Sequence, residues 1–210
     1  MGGLERLDEA YREHHERRRP PGFVFGGAER VSVFREWVGG PGRRVLDLGC
    51  RDGALAHAYA PGNDVVGMDV DRDALAEAAK LGIETLWGDV TEPLPLPDAS
   101  FDVVVAGELF EHLQLPDRTV AEVRRVLRPG GFLVGSVPNA YRLQNRALFL
   151  AGHSPDKDPT HLRMFSPALL RQLLAGFEPP KLRFVAGRLV PVNARLFAQI
   201  MAFRARKPQR

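Results

Sequence analysis

The sequence predicts an α/β fold built on a doubly wound, mostly parallel sheet. Three observations predict it. Val45-Leu46-Asp47-Leu48 is an apolar run with no alternation, as in a strand buried on both faces. Gly49 and Gly53 interrupt it and an Ala/Leu-rich helical run follows, so strand, glycine turn and helix come in the order that opens a nucleotide-binding fold. Further short apolar runs then alternate with helical segments up to residue 139.

Taken in order, residues 4–19 read as a charged helix whose narrow apolar stripe is Leu4, Leu7 and Tyr11. Arg17-Arg18-Arg19 beside His14-His15 reads as a solvated helix face rather than a patch for an anionic partner. Pro20-Pro21-Gly22 stops the helix. Phe23 and Phe25 follow in a glycine-bordered loop, where they either cover a ligand or pack on the core. A second helix spans 30–38, with Val31, Phe34 and Val38 on one side. Strands are expected at 64–68, 83–86, 101–106 and 132–137, with helices at 73–81 and 116–127 and a tight turn at Arg128-Pro129-Gly130-Gly131. Residues 140–165 interrupt the alternation: a helical start, then a polar loop rich in Asp and Pro. A long segment after the carboxyl end of a strand suits a lid or substrate-binding insertion. Ser166-Pro167 then opens a helix as N-cap and first residue. Residues 181–186 and 201–206 read as two more strands. The stretch 188–199 between them reads as a packed connection rather than a membrane-surface helix, because of Pro191 and its apolar pattern.

The acids near the glycine turn bear on the ligand. A dinucleotide pyrophosphate wants bare backbone N–H groups. Here Asp47 ends the strand and Asp52 sits in the turn, and both repel phosphate and attract a cation. S-adenosylmethionine carries an ammonium and a sulfonium and no phosphate. Asp69 ends the next strand, 20 positions after Gly49, the spacing at which a carboxylate binds ribose hydroxyls. The runs VLDLGCRDG, VVGMDVD, WGDVTEPLPLPDASFDVVVAGELFEHL and LRPGGFLVGSVPN together resemble the class I S-adenosylmethionine-dependent methyltransferases, in particular the group that includes quinone-biosynthesis O-methyltransferases. The resemblance covers roughly residues 30–206. Arg51 departs from it, standing at the middle of the usual glycine triplet. The resemblance implies a Rossmann-like sheet of seven strands in the order 3-2-1-4-5-7-6, with the seventh antiparallel. It also implies that Asp47, Gly49, Cys50 and Gly53 form the cofactor turn, that Asp69 holds the ribose with Val70 against the adenine, that Asp89 and Val90 meet the adenine, and that Gly107 and Glu108 complete the cofactor site.

Composition sets outer limits. The 210 residues fit one domain, 1–210, with 1–40 as an N-terminal helical segment and 140–165 as the lid. A hydrophobic fraction of 44% and a charged fraction of 26% are ordinary for a globular protein. A net charge of +3 permits an acidic partner without requiring one. Cys50 is the only cysteine, so neither an intrachain disulfide nor a cysteine zinc cluster can form. With no apolar leader and no membrane-length apolar run, the expectation is a cytoplasmic protein acting on a small molecule, with neither membrane nor nucleic acid as partner.

Methyl transfer from a sulfonium needs alignment and a water-poor pocket, and a hydroxyl acceptor also needs a base. His112 and His161 are the candidates, with Glu111 beside them. Ala106-Gly107-Glu108-Leu109 stands where adenine-N and glutamine methylases of this fold carry Asn/Asp-Pro-Pro-Tyr, and no Pro-Cys nucleophile is present. The reading is therefore O-methylation of a small molecule or a glycan or lipid precursor. The alternatives are a non-catalytic cofactor-binding or scaffolding protein and, behind it, an RNA 2′-O-methyltransferase. A dinucleotide oxidoreductase is disfavoured by Arg51 and Asp47. Glu108, Glu111 and His112 stand at i, i+3 and i+4, on one face if helical, and with His161 resemble a divalent-metal site of some relatives. On pattern alone the metal-free reading is favoured.

Overall fold

The computed structural model describes residues 2–18, 20–155 and 158–209. Arg19, expected at the end of the first helix, and Asp156 and Lys157 of the insertion lie outside them.

Seven strands form one sheet in the order β3-β2-β1-β4-β5-β7-β6. They are β1 Arg44–Leu48, β2 Asp64–Asp69, β3 Glu84–Trp87, β4 Phe101–Gly107, β5 Leu127–Pro138, β6 Lys181–Val185 and β7 Ile200–Arg206. β7 pairs antiparallel with both β5 and β6, and the other pairings are parallel. This is the expected order, with the expected antiparallel seventh strand.

The central strands are covered on both faces. In β1, Val45 joins the layer formed with α2 (Gly27–Val38) through Val33, Phe34, Trp37 and Val38, while Leu46 and Leu48 join the opposite layer. That period of two continues in β4, where Val103 and Val105 lie with α2 and Val104 and Ala106 lie opposite. Phe101 breaks the parity and joins the opposite layer, because the register with β5 shifts between Phe101 and Val103. α4 (Pro116–Val126) opens with Pro at its first position and turns Val120, Val123 and Val126 to that second layer.

Some local expectations need correction. The Ala/Leu run after Gly53 forms no α-helix: only a 3₁₀ turn, Ala56–Ala58, appears before Pro61-Gly62. Seven residues between a glycine turn and Pro-Gly are too few to propagate a helix. The Arg128–Gly131 turn is instead part of one continuous β5, with Gly130 at φ 77° inside it. The remaining helices are α1 Gly3–Arg18, α3 Arg72–Lys80, α5 Leu143–Leu150, α6 Pro167–Leu173 and α7 Ala194–Phe197. Ser166 caps α6 by accepting from the Leu169 amide, as its sequence position suggests. The 188–199 connection consists of turns and the short α7, and it leaves Leu189 and Val192 exposed.

α1 does not present a solvated histidine pair. His15 Nδ1 lies 2.8 Å from Asp71, and His14 Nε2 lies 3.5 Å from Asp158 of the insertion. Arg12 meets Asp73, and Asp8 accepts from the Arg72 amide. The helix is thus strapped across the carboxyl ends of the strands.

Candidate active site

The carboxyl ends of β1, β2, β3 and β4 meet at one rim, where an open parallel sheet places its ligand. A cavity of about 580 Å³ lies there, bordered by Gly49, Asp69, Val70, Asp89, Val90 and Gly107, with Tyr11 and His15 of α1 across it. Gly49 adopts φ 71°, and a Cβ there would stand 3.2 Å from the Leu109 side chain, so the turn needs glycine. Gly53, at φ 74°, lets the turn press against Ile83, where a Cβ would be 2.8 Å away. Arg51 occupies the left-handed region at φ 51°. Its amide donates to Asp69 at 2.8 Å and its side chain pairs with Asp52, contacts that hold a non-glycine residue in this unusual conformation.

Asp69 is only 6% exposed. One carboxylate oxygen accepts from the Arg51 amide, the other from the Asp71 amide at 2.9 Å. Burial raises its pKa against those two bonds. Each oxygen keeps a second lone pair, and the group borders the cavity. Asp47 lies deeper and is 2% exposed, with the Tyr59 hydroxyl donating to it at 2.7 Å. Burial pushes its carboxyl up to about 7, opposed by that hydrogen bond and the charge of Arg30. Asp52 is engaged locally, accepting from the Gly22 amide and ties the loop carrying Phe23 and Phe25 to the turn. Asp89 accepts from the amide and hydroxyl of Thr91, which makes it a turn cap as well as a cavity wall. The Cys50 thiol turns toward Gly67 in the interior, and burial raises its pKa. It contributes backbone to the turn rather than a nucleophile.

Past β4 the chain takes a sharp course. Glu108 has φ 56°, its amide donates to the Ser136 carbonyl at 2.9 Å, and its carboxylate accepts from the Ser136 hydroxyl at 2.8 Å. A 3₁₀ turn, Phe110–His112, follows. The expected i, i+3, i+4 face therefore does not form: Glu108 is held on β5, while Glu111, His112 and His161 gather with their ligand atoms within 4.8 Å of one another. Glu111 is fully buried, and its carbonyl accepts from the amides of Leu162 and Arg163. The rings of His112 and His161 meet edge to face at 4.7 Å. His112 Nδ1 lies 3.0 Å from the Thr160 hydroxyl.

The insertion walls a second cavity of about 980 Å³, with Asn139, Arg142, Asn145, Leu148, His161 and Met164 on it and Phe23 and Phe25 across. Glu108 borders both cavities. Arg163 is turned toward the carbonyls of Leu113 and Gln114, and Arg142 donates to Asn145 at 3.1 Å. At Asp158 burial is outweighed by the Thr160 hydroxyl and amide and by the nearby histidines, which hold the carboxyl at about 2.

Residues 46–135 match the family model described as a methyltransferase domain, a span that holds the candidate cofactor residues from Asp47 to Glu108. Over that span the chain is similar to S-adenosylmethionine-dependent methyltransferases. A Mycolicibacterium smegmatis protein named a probable S-adenosylmethionine-dependent methyltransferase is 40% identical over 142 residues, 65% of this chain and 52% of that protein. A ubiquinone biosynthesis O-methyltransferase of Alkalilimnicola ehrlichii is 32% identical over 118 residues, 52% of this chain and 48% of that one. The chain thus spans about half the length of the curated relatives it matches. The crystal structure of a SAM-dependent methyltransferase from Archaeoglobus fulgidus superposes with a TM-score of 0.74 at 21% identity, covering 94% of this chain and 99% of that one. That likeness implies S-adenosylmethionine as cofactor, and the chain's own residues fit it. A glycine turn leaves room at the backbone, and the buried Asp69 carboxylate, with lone pairs beyond its two amide bonds, borders the cavity.

Several residues of this site carry no motif in the sequence. Arg30 is buried from α2 with its guanidinium against Gly107, where a Cβ would lie 2.3 Å from it. Tyr59, Ser136 and Thr160 hold Asp47, Glu108 and His112 through hydroxyls. Only the His14-His15 pair was visible as a cluster, and its acid partners lie far along the chain. No described helix is long and apolar enough to cross a membrane.

Proposed function

We propose that this chain transfers a methyl group from S-adenosylmethionine to the oxygen of a small molecule or a glycan or lipid precursor. The observation that carries this reading is the pair of adjoining cavities meeting at Glu108. When bound, the cofactor supplies a methyl group already activated on a sulfonium. Asp69 would hold its ribose, Val70 and Val90 would flank its adenine, and the backbone of Gly49 and Gly107 would leave room for its methionine end. α1 and the Phe23–Phe25 loop would exclude water. His112, or His161 beside it, would take the acceptor proton, with the Thr160 hydroxyl orienting His112 and Glu111 beside the pair. Likeness to ubiquinone biosynthesis O-methyltransferases supports an oxygen acceptor.

A second reading draws on the Glu111, His112 and His161 cluster. One carboxylate and two imidazoles suit a divalent ion, which would lower the pKa of an acceptor hydroxyl. Glu108, held by Ser136, stands outside that donor set. The single-domain organisation of 1–210 and the role of 140–165 as a substrate lid belong to the same reading.

The test is turnover of a panel of phenolic, sugar and amine acceptors, followed as S-adenosylhomocysteine release, with and without chelation. Release with hydroxyl acceptors, with His112→Ala lowering kcat by about 10²- to 10⁴-fold, is expected. Turnover of amines alone would overturn oxygen as the acceptor. Loss of activity on chelation, restored by added Mg²⁺ or Mn²⁺, would replace the metal-free base with the metal reading.

A further inference from the structure

The outer face of the acceptor cavity has a composition the catalytic reading does not use. α5 turns Asn145 and Leu148 inward to the cavity wall. Leu143, Arg146 and Leu150, at i, i+3 and i+7, form the stripe on its other side. Leu150 is 91% exposed, and Tyr141 and Phe149 beside it are exposed as well. α5 packs against α7, and Asn139 binds the carbonyls of Arg195 and Ala198. The chain leading into α7 adds Leu189 and Val192, the latter 74% exposed, and the exposed arginines Arg188 and Arg195. Residues 140–155 and 179–210 contain no acid at all.

We propose that this face, α5 with the connection before α7, docks on a membrane surface rich in anionic lipids. That sets α5, whose inner side walls the 980 Å³ cavity, between the cavity and the bilayer. The role of that cavity as acceptor site rests on the proposed function, but docking does not require it. Protruding aliphatic side chains among arginines, with no acid to repel the headgroups, are the composition that seats a surface element at the lipid interface. Single-stranded nucleic acid would call for a stacking platform of aromatic rings, whereas the most protruding side chains here, Leu150 and Val192, are aliphatic. A second copy would set this acid-free, arginine-bearing face against itself, which like-charge repulsion opposes. The expectation of no membrane partner from the sequence rested on spanning segments and on a buried 188–199 connection, and the exposure of Leu189 and Val192 removes the second ground.

The experiment is co-sedimentation of the full chain with phosphatidylcholine vesicles containing none or about a third phosphatidylglycerol, at low and high salt. Binding to anionic vesicles, at least tenfold weaker on neutral ones and weakened by salt, is expected. Leu150→Glu with Val192→Glu should reduce it at least tenfold, with thermal unfolding and S-adenosylmethionine affinity unchanged. Because cofactor affinity is read separately, failure of docking is distinguishable from failure of the methyltransferase reading. No sedimentation with either vesicle, equal binding to both, or wild-type binding by the double variant would each overturn the proposal. So would a salt-sensitive complex with single-stranded RNA, or a concentration-dependent dimer, in the absence of vesicle binding.

Discussion

Asp69→Ala removes a carboxylate placed to do two jobs. Its oxygens hold the Arg51 and Asp71 amides at 2.8 and 2.9 Å, and the carboxylate borders the 580 Å³ cavity. A hydrogen bond to a charged group contributes about 1.5–3 kcal/mol. Loss of the ribose contact should therefore weaken S-adenosylmethionine binding by about 10- to 100-fold. The two freed amides add a stability cost, about 1–3 kcal/mol each if they stay buried. Release of a desolvated carboxylate, whose pKa is raised by burial, offsets part of that. A net loss of about 2 kcal/mol would lower Tm by about 4–8 °C in a chain of this size. Asp69→Asn is the informative companion. It keeps the volume and one acceptor, loses the charge, and should fall between wild type and Ala in both readouts. The assay is titration calorimetry with S-adenosylmethionine and S-adenosylhomocysteine, alongside thermal unfolding. If both variants are folded and bind within about threefold of wild type, Asp69 is a structural clasp for the turn and the ribose assignment fails.

Asp47 offers a test by pH. Its folded pKa of about 7 lies above its unfolded value, so the fold favours its protonated form. The contribution is fully present below about pH 4, is lost as pH rises, and is gone above about 7, on the order of 4 kcal/mol in all. The difference in urea stability between wild type and Asp47→Asn should therefore change steadily from pH 4 to 7 and level off above; a flat difference would mean that Asp47 is not desolvated as the structure places it. Residues 140–165 should gain hydrogen-exchange protection when cofactor and acceptor bind together, and equal protection in free and bound protein would make the segment a fixed wall.

Much of the cofactor side was legible because its information is local. Val45 to Leu48, Gly49 and Asp69 announce strand, turn and acid through period, breaker and spacing, and each acts through backbone its neighbours fix. The site around the reaction was less so. The sequence placed Glu108, Glu111 and His112 on one helical face, but Glu108 turns through φ 56° because Ser136, 28 residues on, holds its amide and carboxylate. The His14-His15 pair reads as solvent-facing until Asp71 and Asp158 come up to it from two other parts of the chain. Arg30 has no motif, because its place against Gly107 depends on how α2 packs on the sheet. The sequence by itself determined most of the strands, the glycine turn and the two histidines as candidates, since periodicity and glycine placement act over a few residues, while the sheet order came from the family resemblance. The tertiary structure decided which of those side chains meet, what buries Asp47 and Glu111, and which apolar residues stay in water, since each depends on contacts between distant segments that no local pattern records.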